Sequence, residues 1–242
     1  MVVFFIIIYK MKTKIKTLLK NFYKLQLTSA KKHYLKIIPD TKNILGIYKP
    51  KIDLFIKKLT ITDKQLIINN LEPKFLEESL LFISIINKMD DIDNVLNYLP
   101  KYLLYANNWC LTDAFNYKPK NNLEKTKLWN YIKQHYFVSH QTYHLRLAIV
   151  IIIQNFIRHD YLPQIFQFIS SIKNNDYYCE MAIAWLISTI YFYDKKLTLN
   201  FLINQNISKF VFKKSLQKIL ESNKSTNDDV YIIKKIKAKT FI

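Results

Sequence analysis

The sequence predicts an all-α protein, and two observations carry that prediction. Glycine occurs once in 242 residues, at Gly46, alongside six prolines; sheet folds with many tight turns need more glycine than that. Short apolar segments also recur at a near-constant interval, each followed by a polar break and a second apolar-periodic stretch. Half of the chain is apolar and 15% is aromatic, enough for a sizeable core.

The segments VLNYLPKY from Val95, LWNYIKQH from Leu128 and IFQFISSI from Ile165 share one pattern: apolar, apolar, Asn or Gln, Tyr or Phe, Leu or Ile. A weaker fourth, FLINQNIS, begins at Phe201. The starts lie 33, 37 and 36 residues apart. Polar breaks YANN, VSHQ, KNND and QNIS follow, and the second stretches begin near Trp109, Thr142, Tyr177 and Phe210. This reads as a helix–turn–helix repeat with a period somewhat short of the HEAT repeat. One helix pair cannot bury its apolar face alone, whereas stacked pairs bury a continuous core and curve around a concave wall. The expected architecture is therefore a right-handed solenoid of HEAT-like helix pairs, one curved domain over residues 1–242, with the more apolar second helices inside. The stretch 145–157 is apolar nearly all round, so it should be covered on both sides.

Upstream, residues 12–28 form a basic amphipathic pattern. Residues 63–70 and 75–88 make a further helix pair, with Asp63 as N-cap and Pro73 in the turn. In the connection IIPDTKNILGIYKPKIDLFIKKL, Pro39, Asp40 and Asn43 signal a loop. Gly46 supplies the residue with free access to positive φ, and Pro50 should start the next helix at its first position. The opening MVVFFIIIYK is apolar for too few residues to span a bilayer and lacks the flanks of a signal peptide. Met11 opens a more ordinary beginning, so residues 1–10 read as an upstream extension or a frayed end.

The formal charge of +19 suits a polyanionic partner; lysine drift in an A/T-rich coding sequence is the competing source of that excess. Cys110 and Cys179 form no disulfide framework, no Cys/His spacing for a metal is present, and a reducing cytosol fits. No P-loop, dinucleotide fingerprint or zinc motif appears, so the expected cofactor and metal content is none.

The unusual residues keep step with the repeat. Trp109 and Asp113 are spaced i, i+4 on one helix face. Arg146, one of only two arginines, lies 33 residues past Asp113, and Trp185 lies 39 past Arg146. Second helices would thus project two indoles, a carboxylate and a guanidinium toward the concave wall, with Arg146 presented to the groove rather than buried. Taken singly, each has a structural reading: core indoles, a capping aspartate, an Asp113–Arg146 salt bridge.

The segments ILGIYKPKIDLFIKKL, NNWCLTDAF, QTYHLRLAIVIII and DYYCEMAIAWLIS resemble the HEAT-like-repeat alkylpurine DNA glycosylases, the AlkD-type DNA alkylation repair family, in order and spacing from about residue 30 to 235. The resemblance implies hydrolysis of the N-glycosidic bond of purines alkylated at N3 or N7 in duplex DNA. It implies Asp113 as the catalytic carboxylate, Trp109 and Trp185 against the substrate with Tyr34 as the nearest match to the family's N-terminal tyrosine, and Arg146 on a phosphate, with Lys213 and Lys214 as weaker phosphate candidates. A cytoplasmic, nucleoid-associated monomer without a membrane partner is expected. The alternatives are a non-catalytic HEAT-like scaffold for nucleic acid or a protein partner, and a peripheral membrane protein using the first residues.

Overall fold

A computed structural model describes residues 2–204 and 207–240, with the side chains of 2–8, 239 and 240 excepted. Two of the sequence expectations fall partly outside these: the side chains of the opening apolar strip, and Gln205 and Asn206 of the fourth break. The described residues form fourteen α-helices and no strand, and none of the helices is long and apolar enough to cross a membrane. The helices gather into two compact units, residues 1–117 and 118–242.

In the first unit the order is α1 (Val2–Tyr23), α2 (Thr28–Ile37), α3 (Lys49–Lys57), α4 (Ile61–Asn70), α5 (Leu76–Ile86), α6 (Ile92–Leu103) and the single turn α7 (Trp109–Thr112). All eleven residues of α5 are buried, and α3, α4, α6 and α7 pack around it. The basic helix ends at Tyr23 rather than at 28. The Leu25 and Gln26 amides turn back onto the Phe22 and Tyr23 carbonyls, and the Leu27 amide then donates to the Gly46 carbonyl at 2.7 Å. That tie between Leu27 and the Leu45-Gly46-Ile47 segment starts α2, which the sequence pattern did not reveal.

Gly46 has φ +94°, and a Cβ there would sit 2.6 Å from the Leu27 carbonyl oxygen. Glycine is required at this position both for the left-handed backbone and for the close approach. Pro50 is the second residue of α3, not the first; either place lies in the first turn, where no amide donor is needed. Asp63 is not the N-cap of α4. Thr60 caps it, and Asp63, at the third helical position, reaches back to the Thr60 amide at 3.2 Å in a capping box.

The second unit runs α8 (Asn122–His135), α9 (Thr142–Asn155), α10 (Leu162–Ser171), α11 (Tyr177–Tyr191), α12 (Lys195–Asn204), α13 (Lys209–Leu220) and α14 (Asn227–Thr240). The expected second stretches near Thr142, Tyr177 and Phe210 start α9, α11 and α13 almost at the residue. The first stretches begin inside α6, α8, α10 and α12. Residues 145–152 of α9 are all buried, as the all-round apolar pattern requires. Helix α11 packs against α9, α12 and α13.

Candidate active site and nucleic-acid interface

The residues singled out by sequence fall into two sets, one in each unit. In the first, Asn108 caps α7, its Oδ1 accepting from the Leu111 amide at 3.2 Å. The turn closes when the Asp113 amide donates to the Trp109 carbonyl at 3.0 Å, so the i, i+4 pair stands on one turn as the spacing demands. The second stretch here is a single turn because α5 and α6 hold its carbonyls and the residues that follow. The Tyr102 hydroxyl donates to the Leu111 carbonyl at 2.8 Å. Asn87, at the end of α5, donates to the Ala114 carbonyl at 2.8 Å and accepts from the Asn116 amide at 2.9 Å. Asp113 is thus clamped from both sides of the chain. Its side chain, like that of Trp109, remains half-buried rather than sealed in the core, and the Thr112 hydroxyl donates to Asp113 Oδ1 at 3.3 Å.

Burial, then the charges of Asp113 and Glu77, push the Cys110 thiol up to about 11, so it stays protonated near neutrality and is a poor nucleophile. Burial, then the neighbouring Cys110 and Asp113, push the Tyr102 phenol well above its ordinary range.

Sequence reasoning missed Glu77. Its fully buried carboxylate accepts from the Leu45, Gly46 and Ile47 amides at 2.9, 2.7 and 3.1 Å. It clamps the segment containing the sole glycine, and the available signal was an acidic pair opening an otherwise apolar helix. Tyr34 is covered: it is 5% exposed and its hydroxyl donates to the Ile47 carbonyl at 3.3 Å. It braces the same segment, and its ring is not offered to a ligand.

In the second unit Arg146 departs from the sequence expectation. It is 7% exposed, within the buried run of α9, and its Nη1 donates to the Tyr178 carbonyl in the first turn of α11 at 2.8 Å. A neighbouring helix start supplies an acceptor that no sequence pattern announces, so a guanidinium sits in that apolar helix with at least one donor satisfied.

Trp185 is half-exposed on α11 and opens onto a pocket of about 430 Å³. Ser188, Thr189 and Phe192 continue the same face of α11, while Lys218, Glu221, Ser222 and Lys224 close the pocket from α13 and the turn after it. The Ser188 and Thr189 hydroxyls both donate to the Trp185 carbonyl at 2.8 Å, which leaves their oxygens able to accept. Phe192, Lys218 and Lys224 were not foreseen; the first was readable as the i+7 partner of Trp185. Lys213 is exposed on α13, and Lys214 is half-exposed, its Nζ donating to Gln217 Oε1 at 3.0 Å.

Residues 16–219 match the family described as DNA alkylation repair enzyme. The chain belongs to that family. A DNA alkylation repair enzyme acts on DNA, which gives the +19 charge its partner. Among curated proteins no relative matches the chain.

Proposed function

We propose that the chain is a DNA glycosylase that hydrolyses the N-glycosidic bond of cationic N3- or N7-alkylated purines in duplex DNA. The observation that carries this reading is Asp113. It is a half-buried carboxylate, beside Trp109, on a turn held rigid by Asn87 and Tyr102.

A purine alkylated at N3 or N7 already bears positive charge and leaves without a general acid. What remains is to stabilise the positive charge that gathers on the deoxyribose as the bond breaks. A fixed carboxylate does this without reorganising, and it also orients the attacking water. At an effective dielectric of ~20 and a separation of ~4 Å, opposite charges attract by about 4 kcal/mol. Gained wholly in the transition state, that is worth about a thousandfold in rate. The indole of Trp109, beside Asp113, offers a π face to the cationic nucleotide, and Trp185, over its own pocket in the 118–242 unit, offers another aromatic surface to DNA. Lys213 and Lys214 hold backbone phosphates, fixing register without reading sequence; Arg146, turned onto the Tyr178 carbonyl, is a structural guanidinium.

The test is release of 3-methyladenine and 7-methylguanine from methylated duplex DNA. Asp113→Asn should slow release between about tenfold and a thousandfold, with duplex affinity retained. Release at the wild-type rate removes Asp113 from the chemistry. Salt-dependent DNA binding with no release by the wild-type protein makes the chain a non-catalytic binder instead.

A further inference from the structure

A second feature of the 118–242 unit is not used by the glycosylase reading. The first turns of α9, α11 and α13 carry a run of aromatic rings. Tyr143 and Tyr178 lie with centroids 6.3 Å apart, Tyr178 and Tyr177 5.3 Å apart, and Tyr177 and Phe210 5.8 Å apart. The Lys214 Nζ stands 5.9 Å above the Phe210 ring, continuing the row with a cation. Tyr177 is 54% exposed, and Tyr143, Tyr178 and Phe210 are half-exposed. Core packing does not account for a tyrosine so open, set between Tyr178 of its own helix and Phe210 of α13.

The row is held in place. Asn174 Nδ2 donates to the His140 carbonyl at 2.9 Å and to the Thr142 hydroxyl at 3.2 Å, which ties the start of α9 to the segment before α11. Asp176 caps α11 by accepting from the Tyr178 amide at 2.8 Å. The Ser208 hydroxyl, which caps α13, donates to the buried Glu180 of α11 at 2.5 Å. Three helix starts are thereby linked, and the rings are set before any ligand arrives.

We propose that this row is a binding strip for single-stranded nucleic acid, on which unpaired bases stack. Tyr177 meets Tyr178 and Phe210 at interplanar angles of 80° and 65°, so these rings do not cover each other's faces by parallel stacking. Bases in a duplex have their faces occupied by neighbouring pairs, so only unpaired bases can use such faces. Every base has a π face, so the strip is sequence-tolerant. The exposed ammonium groups of Lys173, Lys209 and Lys213 stand close in sequence to the rings and complement a phosphate backbone. Tyr177 precedes Trp185 by eight residues on α11, about 12 Å along the helix axis. The strip therefore serves unpaired strand running along the same helix that carries Trp185. In naming a nucleic-acid partner the inference rests on the DNA reading, but it requires no catalysis.

The test compares fluorescence anisotropy of a labelled fifteen-residue oligo-dT and a labelled fifteen-base-pair duplex on wild type and on Tyr177→Ala/Phe210→Ala. Removing two stacking platforms should weaken oligo-dT binding by about 30-fold or more, and duplex binding by less than about threefold. The ring-preserving swap Tyr177→Phe/Phe210→Tyr should bind oligo-dT as wild type does. The single variant Tyr177→Ala, at an exposed position, should show about a tenfold loss even if the double variant is unstable in thermal melts. Unchanged oligo-dT binding in Tyr177→Ala overturns the proposal, as does an equal loss on duplex, which would make the row a duplex contact. Base release from methylated duplex is read in parallel. A failure of the strip leaves that release intact, whereas a failure of the glycosylase reading leaves oligo-dT binding intact.

Discussion

Helices α5 and α11 are the central helices of their units, and comparing them shows what an apolar helix can be used for. Each is overwhelmingly apolar, and each opens with acid residues: Glu77 and Glu78 in α5, Glu180 in α11. In α5 every residue is buried, so its acids serve structure alone. Glu77 holds three amides of the Gly46 segment, while Glu78 accepts from the Lys74 and Phe75 amides at 2.6 and 3.0 Å and from the Tyr23 hydroxyl. In α11 one stripe stays open. Tyr178, Met181, Trp185 and Thr189, with Phe192 just past its end, are half-exposed at helical spacing. That stripe carries both Trp185 and Tyr178, an inner member of the aromatic row. A helix enclosed on every side can only support chemistry; one left open along a single stripe can present it.

The contrast can be broken first at its strongest point. Glu77→Ala strands three amides inside the first unit, and urea unfolding should show a loss of about 4 kcal/mol. Glu180→Ala, which removes the partner of one Ser208 hydroxyl, should cost only about 1 kcal/mol. Equal losses would mean that the two acids do equivalent work. Gly46→Ala should cost about 3 kcal/mol by the same measurement, since the added Cβ meets the Leu27 carbonyl and the backbone is held at positive φ.

A subtler effect depends on pH. Asp229 of α14 is buried, and burial alone would raise its pKa. The Lys195 ammonium at 2.6 Å, the Thr226 amide, and the Tyr191 and Thr226 hydroxyls more than offset that, and hold it well below the ordinary carboxylate range. With the folded pKa below the unfolded value of about 3.9, the contribution is present above that value and is lost as pH falls through it toward the folded pKa. Thermal melts between about pH 5 and pH 2 should therefore show Asp229→Asn losing less Tm on acidification than wild type. An equal acid slope in the two proteins would place the acid sensitivity elsewhere.

Much of this was readable in advance. The single glycine, the recurring segments and their breaks located the starts of α9, α11 and α13 to within a residue or so. Helix periodicity is a local property, and the polar breaks are too short to allow another arrangement. Gly46 declared its positive φ because glycine enters that region without the cost a Cβ imposes. The Trp109–Asp113 pair was likewise legible, because i, i+4 spacing is set by the helix itself. Less visible were α2 and the early end of α1, which depend on a backbone tie between Leu27 and Gly46, nineteen positions apart in the chain.

The sequence alone determined the helical class, the rhythm of the helix pairs and the chemical types available to the site, because each follows from residues close together in the chain. Tertiary structure decided which of those residues are enclosed. It set Arg146 against the Tyr178 carbonyl, covered Tyr34, gave Glu77 three amides to hold and left Trp185 open. Burial and hydrogen-bond partners are supplied by segments thirty or so residues away, whose approach no local pattern records.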